Sequence, residues 1–111
     1  MNLTRFTFYA LLATFVLVIG CATPNPLAGW KPYFHEPDQT ITSDYRGYIQ
    51  KLPTDERKYA GMIQYYEDGM GHIAVEIEVP LNGTWWYHVL IYDKDSRRIK
   101  TVRYSPGGYR S

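Results

Sequence analysis

Several side chains in this sequence have types and spacings that invite chemistry. Glu76 and Glu78 alternate on one face of a strand-like segment, ~7 Å apart by strand rise. Carboxylate pairs in glycoside hydrolysis use separations in this range. Alternating Glu on a half-solvated strand, however, more commonly forms the polar face. His72, Glu76 and Asp93 are metal-ligand types, but strand residues four apart span ~13 Å, too far for one ion with ligands at about 2 Å. A cross-strand His72–Asp93 contact is expected in place of a metal. His88 falls on an aliphatic face, where a hydrogen-bonded core histidine is the ordinary outcome. His35 has no implied partner. Serine nucleophile motifs, phosphate-binding glycine loops and cysteine pairs are absent from the sequence, and no cofactor is implied. Binding is expected over catalysis. The competing class is an enzyme or enzyme inhibitor acting through His88 or the Glu76/Glu78 pair.

The elements that position these residues follow from periodicity. Ile73, Val75, Ile77, Val79 and Leu81 alternate with Ala74, Glu76, Glu78 and Pro80, a strand pattern. Asn82-Gly83 is a strong hairpin signal, and Thr84 to Asp93 forms the next strand, apolar on both faces. A two-residue turn places Val79 opposite Trp86, Ile77 opposite His88, Val75 opposite Leu90 and Ile73 opposite Tyr92. On the other face Pro80 meets Trp85, Glu78 meets Tyr87, Glu76 meets Val89 and His72 meets Asp93. Tyr59 to Glu67 reads as an earlier strand ending in Asp68-Gly69-Met70-Gly71, with either Asp68-Gly69 or Gly69-Met70 at the corner. Asp93 to Arg97 turns into a last strand, Arg97 to Tyr104, and Ser105-Pro106-Gly107-Gly108 ends regular structure.

Before the strands, Ile41 to Leu52 has helical spacing, with Tyr45, Tyr48, Ile49 and Leu52 on one face. Thr42 or Ser43 can cap it, and Pro53 stops it. The expected fold is α+β: a four-stranded antiparallel meander with one helix packed on one face, spanning residues 41–111. One helix covers one face only. Trp85, Tyr87, Val89 and Ile91, with Ile99, would then form an aromatic second face beside Glu76 and Glu78, a candidate binding surface. Its candidate occupants are the Trp30–Phe34 segment, a second copy, or an envelope protein or glycan.

Residues 21–40 hold Pro24, Pro26, Pro32 and Pro37 without periodicity, which reads as an extended tether. Trp30, Tyr33 and Phe34 within it are expected to dock on the domain and cover apolar surface. The first 20 residues combine Arg5 with an uncharged apolar run from Phe6 to Ile19 and a small residue, Gly20. About 14 apolar residues make a helix of ~21 Å, short of the ~30 Å hydrocarbon core. This is the pattern of a removable signal segment.

The end of that run, Val18-Ile19-Gly20-Cys21, resembles the lipobox of bacterial lipoproteins. It departs from the commonest pattern by Val18 in place of Leu and by the bulky Ile19. The resemblance implies cleavage before Cys21, a diacylglyceryl group on its sulfur, an acylated amine and a membrane partner through the lipid. Ala22, where an aspartate would favour inner-membrane retention in enteric bacteria, implies an outer-membrane destination facing the periplasm. The rival reading is ordinary cleavage after Ala22, which releases a soluble secreted protein. Cys21 is the only cysteine, so no intramolecular disulfide can form, and acyl chains would remove a free thiol from an oxidising compartment.

Of the 12 basic residues, Arg5 leaves with the signal, so 11 face 11 acidic residues in the mature chain. Such a balance excludes a nucleic-acid footprint, which needs clustered excess cations. Together these features describe a lipid-anchored cell-envelope lipoprotein with a small non-catalytic interaction domain, or alternatively a structural envelope spacer.

Overall fold

The computed structural model describes residues 25–106. The signal segment and Cys21 lie outside the described residues. The elements in chain order are β1 (Lys31–Pro32), α1 (Gln39–Gln50), α2 (Thr54–Tyr59), β2 (Ile63–Glu67), β3 (Ile73–Leu81), β4 (Thr84–Tyr92) and β5 (Arg98–Tyr104). The strands form one antiparallel sheet in sequential order, β1 to β5. The domain is α+β, as its periodicities require, but the expectation of four strands and one helix is corrected to five strands and two helices. Among the described residues, no helix is long and apolar enough to cross a membrane.

The β3–β4 hairpin has the register that its Asn-Gly corner dictates, from Ile73 opposite Tyr92 to Leu81 opposite Thr84. Asn82 and Gly83 both take positive φ, 53° and 79°. This is the primed-turn geometry whose twist matches the flanking strands. The β2–β3 connection centres on Met70, with Ile63 opposite Ile77 and Glu67 opposite Ile73. Gly69 and Gly71, on either side of it, carry the positive φ values. Neither two-residue corner expected from the sequence forms.

The extra strand comes from the segment expected to be a tether. Lys31 and Pro32 pair with Glu67 and Tyr66, and the Tyr33 amide donates to the Tyr65 carbonyl at 2.9 Å. Proline is tolerated here because β1 is an edge strand, where a missing N–H leaves no ladder partner unsatisfied. The folded domain therefore starts well before Ile41. Leu27 is buried in it, while Phe34 is 88% exposed. Trp30 docks as expected, and Phe34 does not.

Helix α1 begins two residues before Ile41. Its cap is Asp38, whose Oδ1 accepts from the Ile41 amide at 3.0 Å, so Thr42 and Ser43 lie inside the helix. The second carboxylate oxygen of Asp38 accepts from Ser96 Oγ in the β4–β5 turn, tying the helix start to the sheet. Ile41 and Tyr45, one turn apart, pack with Val75, Ile77, Val79, Leu90 and Tyr92, flanked by Tyr48, Ile49, Ile63 and Tyr65. Tyr59, assigned to a strand by its alternation, instead ends α2. Pro53 opens this helix, Asp55 and Glu56 lie in its first turn, and Arg57 and Lys58 lie in its last. These charges complement the helix dipole.

A second cluster occupies the opposite face: Leu27, Ala74, Val89, Ile91 and Tyr104, with Trp30, Tyr66, Tyr87 and Val102 packed against it. The sheet thus separates two cores, one beneath α1 and one beneath the 27–30 turn. Between β4 and β5 the register shifts: Ile91 faces Lys100, but Tyr92 faces Arg98. Ile99 is the extra residue of this bulge, and it is exposed.

Candidate functional site

Of the residues expected to form the aromatic binding face, the structure separates two groups. Val89 and Ile91 are buried in the second cluster with Leu27 and Trp30. Trp85, Tyr87, Glu76 and Glu78 keep partial exposure. What remains open on this face is a groove of about 320 Å³, lined mainly by Tyr66, Glu76, Glu78, Tyr87 and Tyr104.

Glu76 is the polar centre of that groove. Tyr104 Oη donates to its Oε2 at 3.2 Å. Tyr66 Oη lies 3.3 Å from Oε1 and 2.7 Å from Gln64 Oε1, sharing one proton between two acceptors. Partial burial pushes the Glu76 carboxyl above its ordinary value, and the charge of Glu78 adds to this. The two tyrosine hydroxyls oppose it by stabilising the carboxylate. Burial and the Glu76 charge likewise raise the hydroxyls of Tyr66 and Tyr104. Tyr87 and Tyr104 stack with centroids 5.4 Å apart. Three rings and two carboxylates line the groove, and its lining holds no lysine or arginine.

The other constellation is on the α1 face, around His88, which is fully buried. Its Nδ1 lies 2.8 Å from Tyr48 Oη, and Arg103 Nε donates to its Nε2 at 3.3 Å. A nitrogen that accepts carries no proton, so the neutral imidazole is protonated at Nδ1 and donates to Tyr48. Arg103 also donates through Nη2 to Glu56 Oε1 at 2.6 Å. That carboxylate oxygen is 3.6 Å from His88 Nε2. Burial lowers the His88 pKa, the Arg103 charge lowers it further, and Glu56 partly offsets both. Beside this group opens a cavity of about 390 Å³, lined by Glu56, Val79, Leu81, Trp86, His88 and Arg103.

Tyr48, Glu56 and Arg103 were not singled out by the sequence, and nor were Tyr66 and Tyr104. Tyr48 carried a usable signal: it lies on the apolar stripe of α1, with a hydroxyl that must find a partner when half-buried. Arg103 carried none, because its place opposite His88 depends on the bulge that shifts β5. Glu56 lies in a helix too short to show a period.

The expected His72–Asp93 contact is replaced. His72 Nδ1 pairs with Asp68 Oδ2 at 2.7 Å, because Asp68 Oδ1 also takes the Met70 and His72 amides as the loop curls back. Asp93 Oδ1 instead accepts from the Asp95 and Arg97 amides. Among the described residues no group of three or more His, Cys, Asp and Glu converges on a point. No family model, curated protein or solved structure matches this chain.

Proposed function

We propose that this chain is a lipid-anchored protein of the bacterial cell envelope, held through Cys21, whose domain binds an envelope protein or glycan without catalysing a reaction. The observation that carries the binding half is the groove of Tyr66, Tyr87 and Tyr104 around Glu76 and Glu78. Tyrosine rings offer flat apolar area with a polar rim, which suits both sugar stacking and protein hot spots. The occupied state of the candidate catalytic groups supports binding over chemistry. Both ring nitrogens of His88 are engaged by Tyr48 and Arg103, and both oxygens of Glu76 face tyrosine hydroxyls. The lipid half rests on Val18-Ile19-Gly20-Cys21. Two or more acyl chains hold a protein stably, and anchoring raises its local concentration near membrane-bound partners, so weak contacts suffice.

Two measurements test the two halves. Cys21→Ser is expected to move the protein from the detergent phase to the aqueous phase on partitioning, and an unchanged distribution overturns the anchor. A photo-crosslinking residue at Tyr87 is expected to yield a defined adduct in whole envelopes, one that disappears with Glu76→Ala and Glu78→Ala. The same probe at the exposed Lys94 serves as the control. Identical adducts from both positions, or none from Tyr87, overturn the groove as the binding surface.

A further inference from the structure

The cavity beside His88 lies on the opposite sheet face from the tyrosine groove and needs its own account. One wall is apolar, made by Val79, Leu81 and Trp86 near the Asn82-Gly83 turn of the β3–β4 hairpin. The other is polar, made by Arg103, Glu56 and His88. Its volume of about 390 Å³ falls in the range of small-molecule sites, which pair apolar walls with a few convergent polar groups.

Arg103 is the group that sets the ligand's chemistry. Its side chain is 54% exposed, a situation in which an arginine ordinarily samples many rotamers. Here its Nε is held by a fully buried imidazole that is itself fixed by Tyr48. A guanidinium held at Nε has a fixed plane, which is what two-point recognition of a carboxylate requires. Only two of its five N–H groups are bonded among the described residues, to His88 and Glu56.

Glu56 occupies the place of that carboxylate, its side chain 12% exposed, on a helix with few side-chain ties to the rest of the fold. Helix α2 has no buried residue and no side-chain cap. Among the described residues, its other side-chain hydrogen bond to the fold is Arg57 Nη1 on the Gln50 carbonyl at 3.1 Å. We propose that the cavity binds a small organic carboxylate with an apolar tail. Arg103 receives the carboxylate in place of Glu56, and Val79, Leu81 and Trp86 cover the tail. His88 and Tyr48 are positioning residues that aim the guanidinium. The binding of such an anion frees Glu56 and with it α2.

The test uses the full chain in detergent micelles with hexanoate, and with hexanol and hexylammonium as matched neutral and cationic probes. The side-chain Arg103 Nε–H and Trp86 indole resonances report binding. Hexanoate is expected to shift both saturably, and the two other probes are not. Glu56→Gln is expected to tighten hexanoate about fivefold by removing the competing carboxylate. Arg103→Gln is expected to weaken it at least ~10-fold through loss of the paired charge. Lys100→Gln, the same charge change on the other sheet face, is expected to change nothing, and near-UV circular dichroism checks that each variant is folded. The proposal is overturned by any of four results: hexanol or hexylammonium binding as tightly as hexanoate; unchanged or weaker binding in Glu56→Gln; equal losses in Arg103→Gln and Lys100→Gln; or no hexanoate response in either wild type or Glu56→Gln.

Discussion

At the scale of single residues, the buried imidazole of His88 carries the sharpest consequences. Tyr48 Oη, 2.8 Å from Nδ1, is the acceptor that keeps a buried N–H from being orphaned. Tyr48→Phe removes that acceptor while keeping the ring, so the cost is that of an unsatisfied buried donor, ~1–3 kcal/mol. Urea denaturation measures it, and a loss below ~0.5 kcal/mol, the spread of ordinary surface changes, would show that the bond carries no stability. The pH dependence has a definite sign. Folding lowers the His88 pKa below its ordinary 6.5, so between that lower value and 6.5 the unfolded chain binds more protons. Stability is therefore complete above 6.5 and falls as pH drops through this window. Glu76 acts in the opposite sense, because its raised pKa favours the protonated folded state and costs stability as pH rises through the interval above 4.5. Variants separate the two contributions. Denaturation between pH 5 and 7.5 is expected to lose its acid-side decline in His88→Gln and to steepen that decline in Glu76→Gln. Parallel profiles for wild type and His88→Gln would contradict the assignment.

At the scale of elements, legibility followed the length of the repeating pattern. Strands β3 and β4, nine residues each, could be registered pair by pair from the sequence, because a one-residue slip would turn Val75, Ile77 and Val79 to the wrong face. Asn82-Gly83 fixed the corner. Gly83→Ala puts a Cβ at a φ of 79°, where an L-residue costs ~1–2 kcal/mol, and urea unfolding should register that loss without a change in slope. Helix α2 and strand β1 could not be read this way, because six residues and two residues are too few to show a period. The site suffered for the same reason. His88 and Glu76 lie on the legible hairpin, whereas Arg103, Tyr104, Tyr66 and Glu56 come from neighbours whose register depends on a bulge, a glycine-flanked loop or a short helix. The start of α1 is hidden in the sequence because Asp38 follows Pro37, in a stretch whose prolines argue for a tether. Its double role predicts a double cost. Asp38→Ala should lose ~1 kcal/mol as a helix cap, plus the Ser96 contact. Ser96→Ala should lose only the smaller part, and equal losses would show that the cap contributes nothing beyond the tie.

At the scale of the whole molecule, the decisive feature is that the sheet has two cores, and that the second is closed by the chain just beyond the proposed anchor. Leu27 is 6% exposed and sits with Ala74, Val89, Ile91 and Tyr104, in a turn where Asn25 Oδ1 accepts the Leu27 amide at 2.9 Å. Cys21 and Leu27 are six positions apart in the sequence, a reach of at most ~22 Å at full extension. An anchor at Cys21 would thus hold the face with the tyrosine groove close to the bilayer and leave the His88 cavity on the side away from the 27–30 turn. Under the proposed anchor the turn would have two duties: it completes the core and would set the distance to the membrane. Leu27→Ala separates them, because it empties the core position without shortening the chain. Large-to-small replacement of a buried leucine costs ~2–5 kcal/mol, a large share of the stability of a domain this size. The variant is expected to lower the urea midpoint accordingly and to bind a hydrophobic dye as Val89 and Ile91 lose their cover. Its detergent partitioning is expected to stay that of wild type. If stability is unchanged, the 27–30 turn is a tether lying against the sheet and not part of its core.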